Sequence, residues 1–425
     1  MGNKAKHKVT YITMAVLMVL VILAGCVQQA TPATGTTPTT SKAKTEVLWV
    51  QLGDLTGTAG AGGTLDAKGV NAMMDWLNSQ NYVPGVTLKA KIMDTSSDAA
   101  KSMAAYKQVM GETPKPVCLE LLTSAIAGSV AGNIAADKIP SFCTGTPLAL
   151  VTMPTGYLFF YNPYYPNQAG CYIDWFMKNW KKSTPPTFAW LTWDIVSGRV
   201  MMSNEIDAYI KSKGIKVVPG EFIPGAPSDT TSNLARLKAA GVDFTYGGMQ
   251  PEAAAVVYKD MDKLGMVGSM TVGWLYFMSL AQLINYATPR VAEGSVVTTV
   301  FATTAELKQL PIAKAIIKPA DNLNDAQLGG VLVGAKRAGV IAEGIRLAAA
   351  KVGPDKIDSA AVYEALQTIK NFDPWGISPP ISFSATNRVA ANILWVQQAK
   401  DGQVVYADKA ASVPDLLPGG KDVPK

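Results

Sequence analysis

The feature that most constrains the fold is a regular alternation of short β-type runs with helical patterns, which begins near residue 46. The first run, 46–52, ends at Gly53, and apolar residues at helical spacing follow over 67–79. The alternation continues with predicted strands at 86–93, 117–122 and 139–143 and with predicted helices at 98–109 and 124–136. Strands and helices that alternate over short connections are typical of a parallel sheet covered by helices.

A second array of the same kind begins after residue 165. Its predicted elements are, in order, helix 169–181, strand 187–192, helix 201–212, strand 215–222, helix 232–240, strand 244–246, helix 252–264 and strand 270–274. The chain is also longer than a single core normally requires. Together these patterns predict an α/β fold with two doubly wound, Rossmann-like lobes.

The C-terminal part of the chain contains two further helices and a hairpin. Its helical patterns and then its β-type runs occupy, in order, 329–352, 360–369, 393–397 and 404–406. Asp401 and Gly402 lie between the two runs, and this dipeptide is typical of a tight hairpin turn. The Pro-rich segment 413–425 is predicted to be a frayed tail.

The N-terminus has the build of a secretory signal. Three lysines, an apolar stretch over 12–23 and two small residues precede Cys26. The run Leu23-Ala24-Gly25-Cys26 resembles the lipobox of bacterial and archaeal lipoproteins. This resemblance implies that 1–25 is removed and that the Cys26 thiol is acylated. A flexible Thr/Pro-rich linker over 26–44 then holds the chain outside the cytoplasm, anchored to the cell membrane. The alternative is an uncleaved anchor helix.

Composition excludes several classes of function. His7 is the only histidine and lies in the signal segment, so the mature chain lacks a Ser-His-Asp or Cys-His couple and an imidazole metal ligand. Cys118, Cys143 and Cys171 form no CxxC pair, which argues against a thiolate zinc site. The chain has no Lys/Arg run, which argues against nucleic-acid binding. We therefore expect no enzymatic activity, no metal and no cofactor.

Cys118 and Cys143 fall on consecutive predicted strands. In an oxidising compartment such a pair can form a disulfide, whereas cysteines on adjacent strands also occur as small reduced core residues. The sequence leaves both possibilities open.

A glycine-rich loop over 53–63 links the first strand to the first helix. A dinucleotide site would require glycine or alanine three residues after Gly62, where Leu65 stands, and an acidic residue roughly twenty residues on, whereas Asp94 lies about thirty residues on. We interpret the loop as one that closes over a ligand at the carboxyl edge of the sheet. A purely structural turn is the alternative.

Several segments resemble one family when they are taken in order. They are the first loop at 52–57, the acidic turn and helix start at 94–100, the segment 226–241, and the pair Gly247-Gly248. Together they resemble the branched-chain-amino-acid type of ABC-transporter solute-binding protein over nearly all of 45–406. The resemblance implies two α/β lobes joined by a three-segment hinge, with the ligand held in the cleft. Lobe one would comprise 45–165 plus 300–378, and lobe two 166–299 plus 379–412.

The resemblance also implies which residues hold the ligand. In that family, hydroxyls and amides of lobe one bind the ligand's carboxylate, and the matching residues here are Thr123, Ser124, Thr144, Gly145 and Thr146. Hydroxyl donors and helix N-termini suit an anion. The alternative for Thr123 and Thr146 is simple helix or turn capping.

The chain departs from the family where the ligand's ammonium would bind. Family members that bind amino acids place acidic residues after the strand that ends near Gly273 and after the first crossover, and neither is present here. A buried ammonium without a counter-charge is costly, which argues against an ordinary α-amino acid. Aromatic residues occupy these loops instead: Tyr164, Tyr165, Trp193, Trp274 and Tyr276. They suit an apolar, aromatic or amide ligand, or a quaternary ammonium. Trp193 and Trp274 have the alternative of filling the core, and Asp194 is a weaker candidate for the missing charge.

These observations predict a monomeric, membrane-anchored lipoprotein that captures a small organic solute by cleft closure and delivers it to an ABC permease. Three alternatives remain open. The protein could pass its occupied state to a receptor instead of a transporter, act as an extracellular enzyme on the same scaffold, or be a surface interaction protein with a vestigial cleft.

Overall fold

The computed structural model of the chain describes residues 43–57, 59–145, 150, 156–194, 196–199, 201–390 and 393–417. Cys26 and Thr146 lie outside the described residues, as does the predicted signal segment. Within the described ranges, no helix combines the length and apolar character needed to cross a membrane.

The first sheet has five strands, β1 Thr45–Gly53, β2 Val86–Asp94, β3 Leu119–Leu121, β4 Ser141–Cys143 and β5 Leu158–Phe160. Their order is β2-β1-β3-β4-β5, and all paired neighbours are parallel. The helices α1 Gly60–Ser79, α2 Ala99–Gly111 and α3 Ser124–Asp137 connect successive strands. Because the strands are parallel, their carboxyl ends meet at one edge of the sheet.

The first helix begins seven residues earlier than the apolar spacing predicted, at Gly60 instead of 67. The reason is a close approach between this helix and the end of β1. A Cβ on Gly63 would lie 1.8 Å from the main-chain oxygen of Asp54. Glycines that suggested an irregular loop therefore belong to the first turns of a helix.

The second sheet has eight strands. They are β6 Thr187–Trp193, β7 Lys216–Val217, β8 Glu221–Ile223, β9 Phe244–Gly247, β10 Thr271–Trp274, β11 Val296–Thr299, β12 Ile393–Lys400 and β13 Gln403–Ser412. The order is β13-β12-β11-β10-β9-β6-β7, with β8 also paired to β6. Strands β6 to β11 pair in parallel, and the predicted run 215–222 is divided into β7 and β8.

The C-terminal hairpin is confirmed. Strands β12 and β13 are antiparallel and form the edge of the second sheet. Asp401 and Gly402 at the turn have φ of 52° and 73°. Both residues adopt the left-handed conformation that a two-residue hairpin turn requires.

The remaining helices cover the two sheets. They are α4 Tyr165–Asn179, α5 Val196–Arg199, α6 Asn204–Ser212, α7 Thr231–Ala239, α8 Pro251–Lys263, α9 Leu280–Ala287, α10 Pro289–Ala292, α11 Thr304–Leu307, α12 Pro311–Ile316, α13 Asp325–Val352 and α14 Ser359–Leu366. Short 3₁₀ turns occupy Pro319–Asp321 and Pro354–Lys356. The helix α13 lies against α1 with its backbone in contact. A Cβ on Gly69 would lie 1.8 Å from the Val331 oxygen.

The chain passes from the first sheet to the second after β5, returns after β11 and crosses again before β12. Ile381, Phe383 and Ala390 lie in the same core cluster as Trp49 of β1. The Ala390 amide also donates to the Phe160 oxygen at 2.8 Å. The segment that precedes β12 therefore packs in the first lobe up to residue 390, which differs from the division expected at 378/379.

The C-terminal segment is ordered further than the sequence predicted. Val413, Leu416 and Leu417 are buried. The Leu416 amide donates to Asn167 Oδ1 at 2.9 Å. The prediction of a frayed tail is therefore wrong for residues 413–417.

Cys118, Cys143 and Cys171 are free and buried. Leu121 of β3 is paired with Cys143 of β4. Cys118 lies three residues before Leu121, and alternate residues of a strand face opposite sides of the sheet. Cys118 and Cys143 consequently lie in different core clusters, and a disulfide between them does not form.

Candidate functional site

The candidate site lies where the carboxyl edge of the first sheet faces that of the second. The first contributor is the start of α3, which follows β3. Thr123 caps this helix, with its Oγ1 accepting from the Ile126 amide at 3.3 Å, and it lies 3.1 Å from the Ser97 hydroxyl. Thr123 thus has the capping role that the sequence left as its alternative, at a helix N-terminus that opens onto the edge of the sheet.

The loop after β4 lies directly against Ser124, the first residue of α3. A Cβ on Gly145 would lie 1.8 Å from the Ser124 hydroxyl oxygen and 3.0 Å from the Tyr165 hydroxyl oxygen. Only glycine allows this approach of the loop to both hydroxyls. The predicted residues Ser124, Gly145 and Tyr165 are therefore brought together.

Tyr276 reaches this group from the second lobe. It follows the end of β10, and its hydroxyl donates to the main-chain oxygen of Thr144 at 3.5 Å. Its ring stacks on that of Tyr165, with centroids 6.1 Å apart and an interplanar angle of 24°. Burial raises the pKa of the Tyr165 hydroxyl well above its usual value, and the neighbouring Tyr276 adds to the shift. Both tyrosines are therefore neutral hydrogen-bonding groups at physiological pH.

Asn162 completes the same contact. Its amide Nδ2 donates to the Thr144 oxygen at 2.8 Å. Asn162 lies between β5 and α4, on the first segment that crosses between the lobes. The sequence analysis considered this segment only because it lacks a carboxylate. The position of Asn162 just after a strand, at the carboxyl edge of the sheet, could have indicated that it belongs to the site.

Several buried polar atoms at this edge have no hydrogen-bond partner among the described residues. They include Thr144 Oγ1 and Tyr161 Oη. Buried polar atoms in folded proteins are nearly always hydrogen-bonded. Their positions directly after β4 and β5 mark a place where a polar group of a ligand can be held.

Trp274 does not line the site. It is the last residue of β10, fully buried, and its indole nitrogen donates to Ser295 Oγ at 3.1 Å and to Tyr258 Oη at 3.3 Å. The prediction that Trp274 faces the cleft is wrong because a residue within the strand points to a face of the sheet. Tyr276 lies beyond the strand end and reaches the other lobe instead.

Tyr164, Trp193 and Asp194 take three different positions. Tyr164 is fully buried and packs in a core cluster of the first lobe that includes Leu417. Trp193 ends β6 at the carboxyl edge, is half-buried, and its indole nitrogen has no partner among the described residues. Asp194 is exposed and paired with Arg199 at 2.7 Å, so its charge is already balanced at the surface. Tyr164 Oη also has no partner among the described residues, but it is buried in the core of the first lobe, so Trp193 is the one of these three that offers a polar atom at the carboxyl edge.

A buried group of charged residues lies beneath the site, and the sequence interpretation missed it. Gln51 Nε2 donates to Asp66 Oδ2 at 2.6 Å and to Glu120 Oε2 at 2.9 Å. Arg337 of α13 lies 2.6 Å from Asp66 Oδ1 and 3.7 Å from Glu120 Oε1. Burial raises the pKa of Asp66, and burial raises that of Glu120 to about 7 despite the nearby guanidinium.

Lys336, the residue before Arg337, is also buried, with 1% of its surface exposed. Its Nζ lies 4.7 Å from the ring centroid of Phe301 and 5.6 Å from that of Tyr161. Desolvation, with a smaller effect of the Arg337 charge, lowers the Lys336 pKa to about 7. The sequence signal that could have found it is the series of glycines along α13, which is typical of a helix in contact on several sides.

Comparison with known proteins agrees with this architecture. The model of the protein family described as "periplasmic binding protein" matches residues 51–403 of this chain. No curated protein matches the chain significantly. Similar solved structures include a branched-chain amino acid ABC transporter protein from Thermus thermophilus with bound valine, which is 18% identical, with a TM-score of 0.75 over 88% of this chain and 97% of that chain.

Two further structures are similar. One is a fatty acid ABC transporter substrate-binding protein from Thermomonospora curvata, 20% identical, with a TM-score of 0.71 over 88% of this chain and 95% of that one. The other is an ABC transporter substrate-binding protein from Aeropyrum pernix, 16% identical, with a TM-score of 0.73 over 88% and 97%. At these identities the likeness establishes the two-lobed fold. With the family match over most of its length, the chain belongs to the periplasmic binding protein family.

Proposed function

We propose that the chain is the solute-binding component of an ABC importer, which captures one small organic solute between its lobes and performs no covalent chemistry. The observation that carries the proposal is the meeting of the two carboxyl edges at Thr144 and Tyr276, beside buried polar atoms without partners. Open α/β sheets bind ligands at this edge. The similar proteins from Thermus thermophilus and Thermomonospora curvata are named for the same kind of transporter.

The residues around the Thr144–Tyr276 contact would bind different parts of the solute. Ser124 at the N-terminus of α3, together with the loop at Thr144, Gly145 and Thr146, would donate to a polar or anionic group of the solute. Tyr165 and Tyr276 would cover its apolar part, with Trp193 at the rim. The proposed solute is an amino-acid-like compound, an amide, or an aromatic or carboxylate compound.

Binding would couple to closure of the lobes. Tyr276 belongs to the second lobe and Thr144 to the first, so their contact forms only when the lobes are together. A solute that contacts both lobes stabilises the closed state by its extra affinity for that state. The closed form would be the one that a permease recognises.

We also propose that the chain acts outside the cytoplasm as a monomer anchored through an acylated Cys26. The support is the lipobox-like sequence before Cys26 and the periplasmic family to which the chain belongs. The linker 26–44 would give the lobes reach from the membrane to a permease.

A thermal-shift screen of small solutes on the purified chain tests the proposal. A solute that binds only the native state raises the unfolding temperature in a concentration-dependent way. We expect at least one class among amino acids, amides and carboxylates to do so, with one molecule per chain in a native mass spectrum. The absence of stabilisation by any of these classes would contradict the proposal.

A further inference from the structure

Lys336 lies at the junction of the two lobes. Its ammonium is 5.6 Å from the ring of Tyr161, which follows β5 on the first crossing, and 4.7 Å from that of Phe301, which follows β11 on the second. Tyr161 belongs to the core of the first lobe, and Phe301 packs against the core of the second. The ammonium is thus held at the carboxyl edges of both sheets, which flank the cleft.

Lys336 has no counter-charge in the part of the chain that the structure describes. Among the described residues no carboxylate forms an ion pair or hydrogen bond with its Nζ. The next residue, Arg337, pairs with Asp66 at 2.6 Å and lies 3.7 Å from Glu120 Oε1. Arg337 also carries the same charge as Lys336 and opposes its ionisation. The carboxylates of Asp66 and Glu120 therefore interact with Arg337.

A buried ammonium of this kind is unfavourable for folding. Burial of a charge costs free energy unless the charge is paired, and two aromatic rings compensate only part of that cost. An apolar side chain of similar volume would pack between Tyr161 and Phe301 without the penalty. The presence of lysine at this position calls for a partner that brings a negative charge.

Two buried hydroxyls without a partner among the described residues directly follow strands β4 and β5 of the first sheet. Tyr161 presents its ring to Lys336, and its hydroxyl is buried without a partner among the described residues. Thr144 Oγ1 is likewise buried and has no partner within the described ranges, and the main-chain oxygen of the same residue accepts from Tyr276. One ammonium and two hydroxyls form a set of donors that an oxyanion can accept from.

We propose that Lys336 binds the anionic group of the solute, and that the solute is an organic carboxylate without an ammonium group. This inference rests on the proposed function as a solute-binding protein and narrows its ligand class. It also agrees with the charge pattern of the site, where Asp194 is paired with Arg199 at the surface and supplies nothing for an ammonium.

A purely structural role for Lys336 makes the opposite prediction about stability. If the ammonium only packs between two rings, Lys336→Met loses a favourable contact, and the ligand-free protein becomes less stable. If the ammonium is kept for a ligand, Lys336→Met removes an uncompensated charge. The ligand-free protein then has an equal or higher melting temperature and binds carboxylates poorly.

The test uses the full chain in a mild detergent, as wild type, Lys336→Met, Lys336→Arg and Lys351→Met. Lys351 lies on the same helix but is 63% exposed and paired with Glu364, so it serves as the matched control. The probes are two matched sets, 4-methylpentanoate with leucine and 4-methylpentanamide, and 3-phenylpropanoate with phenylalanine and 3-phenylpropanamide. Within a set the carbon skeleton stays constant while the charge changes.

We expect a carboxylate to bind the wild type and Lys351→Met more tightly than its amide or amino acid. Lys336→Met weakens that binding by about tenfold to a hundredfold, as expected for loss of a hydrogen bond to a charged group. Lys336→Arg keeps part of the affinity. Equal carboxylate affinity in wild type and Lys336→Met, or a preference for the amino acid or amide, overturns the inference and leaves the proposed function standing. Binding of no probe of any class counts against both.

Discussion

The hydroxyl of Tyr276 in the second lobe donates to the main-chain oxygen of Thr144 in the first at 3.5 Å. The two residues belong to different sheets and meet because each follows the carboxyl end of a parallel strand. Tyr276 also stacks on Tyr165, the first residue of the helix that opens the second lobe. One side chain thus joins the loop that would bind the solute to the segment about which the lobes would close.

Gly145→Ala should weaken solute binding. The new Cβ would lie 1.8 Å from the Ser124 hydroxyl oxygen, so either the serine or the loop after β4 must move. Calorimetric titration of a bound solute measures the loss. Gly132→Ala in α3 is the control, because nothing lies within 4 Å of its added Cβ. Unchanged affinity in Gly145→Ala would remove Ser124 and Gly145 from the site.

Arg337→Met should destabilise the fold by about 3–5 kcal/mol, because it leaves Asp66 and Glu120 buried without a counter-charge. Urea unfolding followed by tryptophan fluorescence measures the change. Arg290→Met breaks the exposed pair with Asp262 and should cost no more than about 1 kcal/mol. Equal effects of the two substitutions would show that the buried group adds little to stability.

Glu120→Gln should change the pH dependence of stability between about pH 4.5 and 7. Burial raises the Glu120 pKa from 4.5 to about 7, so the native state binds more protons than the unfolded state in that window. Its contribution is present below the unfolded pKa and is lost as the pH rises through 7, with a slope of at most about 1.4 kcal/mol per pH unit. Urea titrations at several pH values should show this slope in the wild type and lose it in Glu120→Gln. The same slope in both proteins would show that Glu120 does not titrate between these pH values.

Lys336→Met should change the pH dependence of stability above pH 7. The lysine pKa is lowered from 10.5 to about 7, so the native state binds fewer protons than the unfolded state between these values. The free energy of unfolding of the wild type, compared with that of the variant, should therefore increase as the pH rises above 7. The same difference should decrease as the pH falls through 7. Unfolding curves of the ligand-free proteins between pH 7 and 9 measure the difference. A constant difference would mean that Lys336 does not titrate there.

Cys26→Ala should release the protein from the membrane. The thiol is the expected site of acylation, and an alanine cannot carry the lipid. Fractionation of the expressing cells, with immunoblotting of membrane and soluble fractions, checks the outcome. Retention of the variant in the membrane fraction would favour the uncleaved anchor helix.

Much of the fold could be predicted because its periodicities are strong. The alternation of strands and helices identified both lobes, and Asp401-Gly402 identified the hairpin. Two boundaries were missed for local reasons. Glycine at Gly60 and Gly63 suggested a loop where close packing against β1 requires small helical residues. Pro219 and Gly220 divide a run that was predicted to be a single strand.

The site was harder to predict because its residues meet only in the folded chain. Order along the chain brought Ser124, Thr144 and Gly145 to one edge, and Tyr276 to the facing edge. The periodicity of the sequence does not show that Trp274 is the last residue of strand β10, whereas Tyr276 lies in the loop beyond it. It also could not identify Lys336 as buried, since a charged residue within a helical pattern is usually solvated.

The most direct test of solute capture between the lobes is equilibrium titration of the stabilising solute into wild type, Tyr276→Ala and Tyr286→Ala. Tyr286 also belongs to the second lobe but is 43% exposed, so its removal should leave binding unchanged. We expect a single site per chain in wild type and Tyr286→Ala, and an affinity at least about tenfold lower in Tyr276→Ala, where the aromatic contact across the cleft is lost. Equal affinity in all three proteins would contradict binding between the lobes.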